Sequence, residues 1–553
     1  MKTSWILSLL FCGLLFGVLR AEDEVATQKV PTDQTALIPK ASILCVRLPS
    51  LDRLDAIAKR FASIAELVQG PQTKQFIEAG VSNALLVQLG LDPAGFDRTA
   101  PLYLAMSEDS DAPYLLLTPA KTNGITGEKD LPTGVKLIVR DGVVHVGMPE
   151  LLAAERRGTA VRLLKGDFAL KFLVSELVAR HTDEIEAGFV EMKTDIDQGI
   201  KMTGIDLPID AGVFIAAFRT AVYGVQDIDF AVTIENEFII AEGLITTKAE
   251  SKLRKLLARA GAPRENNLTD YLPSEAFVMI DSAVTPDWPM VELTEFLKTS
   301  AGAEVAELFG QMMSMSEPMW GSLTGRTGVS MRMQGLMGFN LHAMYELKDG
   351  TDTSKLFDSL DSEKLNAALA KMKMEFVPKY VIEKNIVMHG ETPLHKVSMT
   401  SDDPKMQMAA IMSTYYMAAE GNHMFLVMSP NAELEIKDLI DRVRKGAPKK
   451  PCAHTKAMDR LGRKRNMGMT INFGALKPLL MMYAMIDASG EASIYLNAMP
   501  DELLMSTALS IHEGDVHWKG DLPLKKILKM VDDIKALRGE NEGDAAGDDS
   551  EFD

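Results

Sequence analysis

Thioethers are the first side chains here whose type and spacing suggest chemistry. Of 34 methionines, only Met1, Met106, Met148, Met192 and Met202 precede residue 261. Several of the later ones form Met-x-Met pairs: Met331/Met333, Met372/Met374, Met406/Met408 and Met467/Met469. Alternate residues of a strand share a face, so Met331 with Met333, and Met467 with Met469, would project together. Soft sulfur ligands suit Cu(I). A copper site needs at least three sulfurs converging, however, and two of the pairs fall in helical patterns where this spacing splays them. The plainest reading of the methionines is adaptable core filling. The functional one is a deformable apolar groove, lined by Met331, Met333, Met467 and Met469, for a lipid-like or peptide ligand.

Charge gives the second pattern. The chain carries 59 Lys and Arg against 77 Asp and Glu, a formal net charge of -18. That balance argues against a general nucleic-acid binder. Yet Arg442, Arg444, Lys445, Lys449, Lys450, Lys456, Arg460, Arg463, Lys464 and Arg465 crowd into one connection. Such a run is ordinarily a solvated loop that neutralises acidic surroundings. Its functional reading is a site for an anionic partner: phospholipid headgroups, an acidic polymer or the chain's own acidic tail. The candidate anion-binding residues are Arg442, Arg444, Lys445, Lys449, Lys450, Arg463, Lys464 and Arg465.

Other chemistry does not assemble. His512-Glu513-Gly514-Asp515-Val516-His517 forms a predicted hairpin turn, not His-Glu-x-x-His on a helix. His389 and His395 flank another turn, and Cys452-Ala453-His454 lacks a second ligand pair. Gly321-Ser322-Leu323-Thr324-Gly325-Arg326-Thr327 is one residue short of a P-loop and has Arg in place of Lys. There is no Gly-x-Ser-x-Gly elbow. The sequence therefore assigns no catalytic residue, no metal and no cofactor. A dyad built from distant residues would leave no such trace.

The elements that must position these residues follow one grammar. Asp229 to Leu257 reads as strand, turn, strand, helix: Phe230, Val232 and Ile234 alternate with polar or small residues. Phe238 to Ile245 returns as the second strand, and Thr246 or Thr247 could cap the helix. Ser506 to Val531 repeats the module, with Ile511 standing to Ile234 and Gly520 to Gly243. Gly328 to Leu360 is a third version, with Asp352 or Thr353 as cap. Longer echoes pair Ile38–Val46 with Leu272–Ile280, Val143–Leu152 with Met424–Leu434, and Ala169–Leu177 with Gly468–Leu476. Asp141-Gly142 between apolar runs signals a type I′ hairpin, and Tyr380–Met399 a hairpin around Gly390. Ser50–Gln69, Gln72–Leu89, Ser175–Met202, Val291–Met315, Ser362–Met374 and Met406–Glu420 read as helices.

These patterns predict an α+β fold, internally duplicated, with antiparallel sheets covered by helices. The expected halves are 36–262 and the Met-rich 270–538, joined by a linker at 263–269. Lys2, the apolar Ile6–Leu19 and Ala21 read as a secretory signal peptide over residues 1–21, followed by a flexible segment at 22–35. The apolar run is shorter than the ~20 residues a membrane span needs, and no later segment qualifies. Residues 539–553 read as a disordered acidic tail. Cys45, in an apolar strand, reads as core; a bridge to Cys452 is the lesser alternative. The expectation is an exported protein, periplasmic, cell-surface or secreted, that binds an apolar ligand or envelope component without catalysis. The alternatives are a hydrolase with a dispersed site, or a structural adaptor acting through protein contacts.

Overall fold

Where the sequence alternates apolar and polar residues, strands form. The computed structural model describes residues 34–545, except 108–112, 122–124, 132–133, 159, 203–210, 287, 289–309, 311–313, 315–316, 335–337, 371–378, 401–413, 447–450 and 487–489. The first half holds β1 Ser42–Leu48, β2 Leu102–Ser107, β3 Tyr114–Leu117, β4 Glu128–Asp130, β5 Lys136–Arg140, β6 Val143–Gly147, β7 Phe168–Phe172, β8 Val225–Ile234 and β9 Ile239–Thr247. The short β10 is Arg264–Glu265. Then follow β11 Val278–Ala283, β12 Leu323–Gln334, β13 Gly338–Leu347, β14 Lys379–His389, β15 Thr392–Thr400, β16 Tyr415–Glu420 and β17 His423–Met428. The last are β18 Lys464–Arg465, β19 Met467–Asn472, β20 Leu504–His512 and β21 Asp515–Leu522.

Nineteen of these strands join in one antiparallel sheet. Its spatial order is β4-β5-β6-β3-β2-β1-β7-β8-β9, then β21-β20-β19-β11-β12-β13-β17-β16-β15-β14. The halves meet where β9 pairs with β21, Ile239 opposite Leu522 through Ile245 opposite Val516. The stretch read as a linker is tied down, because β10 pairs with β18. The chain is thus α+β, chiefly one large antiparallel sheet with helices.

Helices cover the sheet because one set of its alternating residues is apolar. The helix Ala432–Lys445 and the helix Ala453–Arg460 bury Met279, Met344, Phe425, Ile436, Leu439, Ile440 and Met458 on one face. Each such side chain contributes about 1.5–3 kcal/mol on burial. On the opposite face of the first half, the helices Leu51–Gln69 and Pro71–Gln88 supply Leu51 and Leu86 to a core with Leu115, Leu137 and Val146. The long final helix, Leu524–Ala545, joins Ile57, Phe61 and Ile234 through Leu524.

Turn chemistry is as the sequence demands at Asp141 (φ 56) and Gly142 (φ 75), and again at Glu513 (φ 52) and Gly514 (φ 91). Both central residues of a type I′ turn need positive φ. Elsewhere the local signals mislead. Thr247 does not cap the helix Lys252–Ala258: Ser251 does, accepting from the Arg254 N–H, while Thr247 bonds Asp515. Asp352 spends its carboxylate on Ser354, so residues 353–359 form turns and the helix starts at Ser362 after Asp361. Within Met406–Glu420, Tyr415–Glu420 is a strand paired on both sides, and 401–413 lies outside the described residues. Most of Val291–Met315 also lies outside them, as do the Met372/Met374 and Met406/Met408 pairs and residues 1–33. The helix Leu524–Ala545 runs through Gly539, so the segment read as a tail begins as helix; 546–553 lies outside the described residues. Cys45 is buried, and no disulfide joins it to Cys452.

Candidate functional site

Two features of the second half gather side chains that could bind something. The first is a sheet face. In antiparallel pairs, residues directly opposite each other point the same way. Met331 lies opposite Val278, which lies opposite Ile471; Val329, Ile280 and Met469 form the next such row, and Thr327, Ser282 and Met467 the third. The third row continues through Leu509 to Trp518. Met333 extends the face towards Phe339. All four candidate groove methionines therefore share one face. The opposite face of the same strands is sealed, with Met279, Asp281, Ser330, His342, Met344 and Thr470 at most 2 % exposed. The methionine face is half-buried, and Met467 and Phe339 are 43 % and 47 % exposed. The less buried face of an antiparallel sheet normally presents polar residues; this one presents thioethers, valine and isoleucine beside Thr327 and Ser282.

Helices follow β19 and β21 in the chain. The helix Glu491–Ala498 packs on the helix Leu524–Ala545, with Arg538 reaching Glu491 and Tyr495. Packed on it in turn is the helix Lys477–Ile486, which buries no residue and leaves Met485 83 % and Ile486 81 % exposed.

The second feature is a polar cleft on the covered face. Here β12 and β13 set Ser330 opposite His342 and Arg332 opposite Asn340. Glu435, Asp438, Leu439 and Arg442 recur at helical spacing along one side of the helix Ala432–Lys445. With Pro273, Glu275, Arg332 and His342 they line a cleft of about 190 Å³. Glu435 Oε1 accepts from Arg332 at 3.2 Å and from Asn340 Nδ2 at 3.1 Å. His342 Nε2 lies 2.9 Å from Glu435 Oε2, close but not aligned as a hydrogen bond. Burial pushes the His342 pKa down, and Glu435 only partly opposes this. A His–carboxylate pair is hydrolase machinery, but the hydroxyl opposite His342 in the sheet is unsuited to attack. Ser330 is fully buried and donates to the Pro273 carbonyl at 3.3 Å. The sequence carried one signal for this cleft: Asn340 and His342 are polar residues at inward positions of an otherwise apolar strand.

The basic run does not stay together. Arg442 faces the cleft. Arg444 is spent on Glu420, with Nε 2.6 Å from Oε1, and also bonds Thr392 and the His389 carbonyl. Lys445, Arg463 and Lys464 are exposed, Arg463 lying 3.5 Å from Asp459. Lys449 and Lys450 lie outside the described residues. Arg465 is 1 % exposed and paired with buried Asp281, so it is not available to an external anion. Among the described residues no group of three or more His, Cys, Asp or Glu could hold a metal ion, and no helix is long and apolar enough to cross a membrane.

Four buried histidines predict acid sensitivity. His145, His342, His395 and His454 are each at most 6 % exposed, and burial pushes each pKa below 6.5. The unfolded chain would take these protons near pH ~6.5 while the folded chain resists them. Stability is then full above that pH and falls as pH drops below it. Asp229 and Asp521 are shifted up by burial and act in the opposite sense, but in the carboxylate range. Urea unfolding should therefore give a lower free energy at pH ~5.5 than at pH ~7.5; a flat profile would show these imidazoles to be protonated without penalty.

Comparison with protein-family models, curated proteins and solved structures finds no match to the chain.

Proposed function

We propose that this is an exported, non-enzymatic protein that binds a lipid-like ligand on the open methionine face. One observation carries the reading: a run of apolar residues from Phe339 and Met333 across Val278, Ile280 and Met469 to Leu509 occupies one face of a sheet whose other face is sealed, and stays only half-buried there. Large exposed apolar patches mark interaction sites, and methionine suits surfaces that must fit flexible ligands. The signal-like Lys2, Ile6–Leu19 and Ala21 series supports export. Native mass spectrometry of the protein purified from its own host should find a lipid-like adduct. A mass equal to the polypeptide alone, with no uptake of an added long-chain fatty acid, would sink the reading. A hydrolase is the second reading, favoured by the His342–Glu435 pair; turnover of ester substrates lost in His342→Gln would support it.

The same proposal treats the chain as two copies of one unit. Strand order supports this: β1, β2, β3, β6, β7, β8 and β9 lie in the sequence of neighbours that β11, β12, β13, β17, β19, β20 and β21 follow. Register supports it residue by residue. Val46 pairs with Leu170 and Ile280 with Met469, the positions the sequence echoes align. Likewise Phe230 faces Gly243 and Thr507 faces Gly520. At the junction Glu242 faces Lys519, its own counterpart, with a 2.6 Å ion pair. A contact in which a position meets its own copy is the mark of a two-fold interface.

A further inference from the structure

The cleft beneath the helix Ala432–Lys445 is separate from the methionine face and stands on its own observations. We infer that it is a binding site for a small zwitterion, an α-amino acid being the simplest.

Arg332 and Glu435 pair with each other, while Glu275, Asp438 and Arg442 are exposed at the mouth and lightly engaged. Asp438 has no hydrogen bond or ion pair among the described residues, and Arg442 has only a 3.4 Å contact with the Tyr271 carbonyl. Glu275 accepts only from its neighbour Ser274, at 3.1 Å. Arg332 commits one nitrogen to Glu435. The cleft's lining includes a buried polar side chain: His342 is 2 % exposed, and its Nδ1 has no hydrogen-bond partner among the described residues. Most buried polar atoms have a partner, and His342 Nδ1 retains the capacity to bond a ligand.

The balance of charge selects the ligand. Two guanidiniums, of Arg332 and Arg442, face three carboxylates, of Glu275, Glu435 and Asp438. A simple anion would meet the three carboxylates, and a simple amine the two guanidiniums. A molecule carrying both signs satisfies both, its carboxylate on the arginines and its ammonium towards Asp438 and Glu275. Arginine–carboxylate bonds are charge-assisted and among the stronger contacts available. A volume of about 190 Å³ lies below the roughly 300–1,000 Å³ of drug-sized sites and suits a small metabolite.

Isothermal titration of the full chain with the common α-amino acids, inorganic phosphate and n-butylamine tests this. At least one amino acid should bind about tenfold or more tighter than phosphate or butylamine. Its N-acetyl and methyl-ester derivatives, each lacking one charge, should lose about that much, as should Arg442→Gln and Asp438→Asn. Both substituted residues sit on the helix surface, and the two derivatives test the site on the unaltered chain should either variant misfold. The inference is overturned if no amino acid binds. It is equally overturned if phosphate binds as tightly and Asp438→Asn tightens it, or if butylamine does so with Arg442→Gln.

Discussion

Replacing Arg465 by methionine should cost about 3–5 kcal/mol of folding free energy in urea denaturation. The guanidinium and the Asp281 carboxylate are each 1 % exposed, and Arg465 Nε lies 2.9 and 3.0 Å from the two carboxylate oxygens. Arg465 Nη1 also reaches Asp459 at 3.4 Å and the Gly462 carbonyl at 2.7 Å. Space for it comes from Gly468, opposite Asp281 in the sheet, where a Cβ would lie 2.6 Å from Arg465 Nε. Removing the arginine leaves Asp281 buried and uncompensated. Removing both charges need not cost as much, because a well-packed apolar pair can replace a buried ion pair. Arg465→Met with Asp281→Leu should therefore recover a large part of the loss. A single variant within about 1 kcal/mol of the parent, as expected of an exposed ion pair, would mean that the pair is solvated.

Gly243→Pro should cost about 3 kcal/mol or more and divide unfolding into two transitions. Gly243 is central in β9, between Phe230 of β8 and Trp518 of β21, so its strand is hydrogen-bonded on both sides. Proline removes a ladder bond and is confined to sheet edges for that reason. The β9–β21 ladder joins the two proposed units, and four of the cores lie wholly on one side of it or the other. Other ties cross it: Leu524 and Leu528 share a core with Ile57, Phe61 and Ile234, Lys535 reaches Glu66 at 2.5 Å and Arg254 reaches Asp515 at 2.9 Å. Gly243→Ala is the control, since the atoms nearest its Cβ are Trp518 Cε3 at 3.4 Å, the Asp229 carbonyl at 3.7 Å and Trp518 Cβ at 3.9 Å, all ordinary contacts. One cooperative transition at the parent midpoint for the proline variant would contradict the division into two units.

Local rules carried the sequence reading wherever local chemistry decides. Asp141-Gly142 and the β8–β9 and β20–β21 hairpins are legible because turn residues and alternation specify them. The common face of Met331, Met333, Met467 and Met469 follows from period-2 geometry once the strands are right, although only the register brings the two pairs together. Tertiary pairing defeated the reading at Tyr415–Glu420, whose Met417-Ala418-Ala419 centre suits a helix but is held between β15 and β17. Arg463-Lys464-Arg465 looked like one solvated run. In β18 alternate residues point opposite ways, so Lys464 is exposed and Arg465 is buried. The clue was Asp281, a lone carboxylate in an apolar strand that had to find a cation. The His342–Glu435 cleft draws on two elements far apart in the chain, and no spacing rule links them.

Trp518 offers the most direct test of ligand binding on the open sheet face, since it stands in the row that runs through Leu509 to Met467. The chain has four tryptophans, so Trp518→Phe assigns the signal. Titration with a brominated long-chain fatty acid should quench Trp518 saturably. Met469→Glu should weaken the quenching about tenfold, because the ligand would have to cover a charge. Trp518 emission unchanged at saturating fatty acid, or quenching that Met469→Glu leaves untouched, would contradict ligand binding on this face.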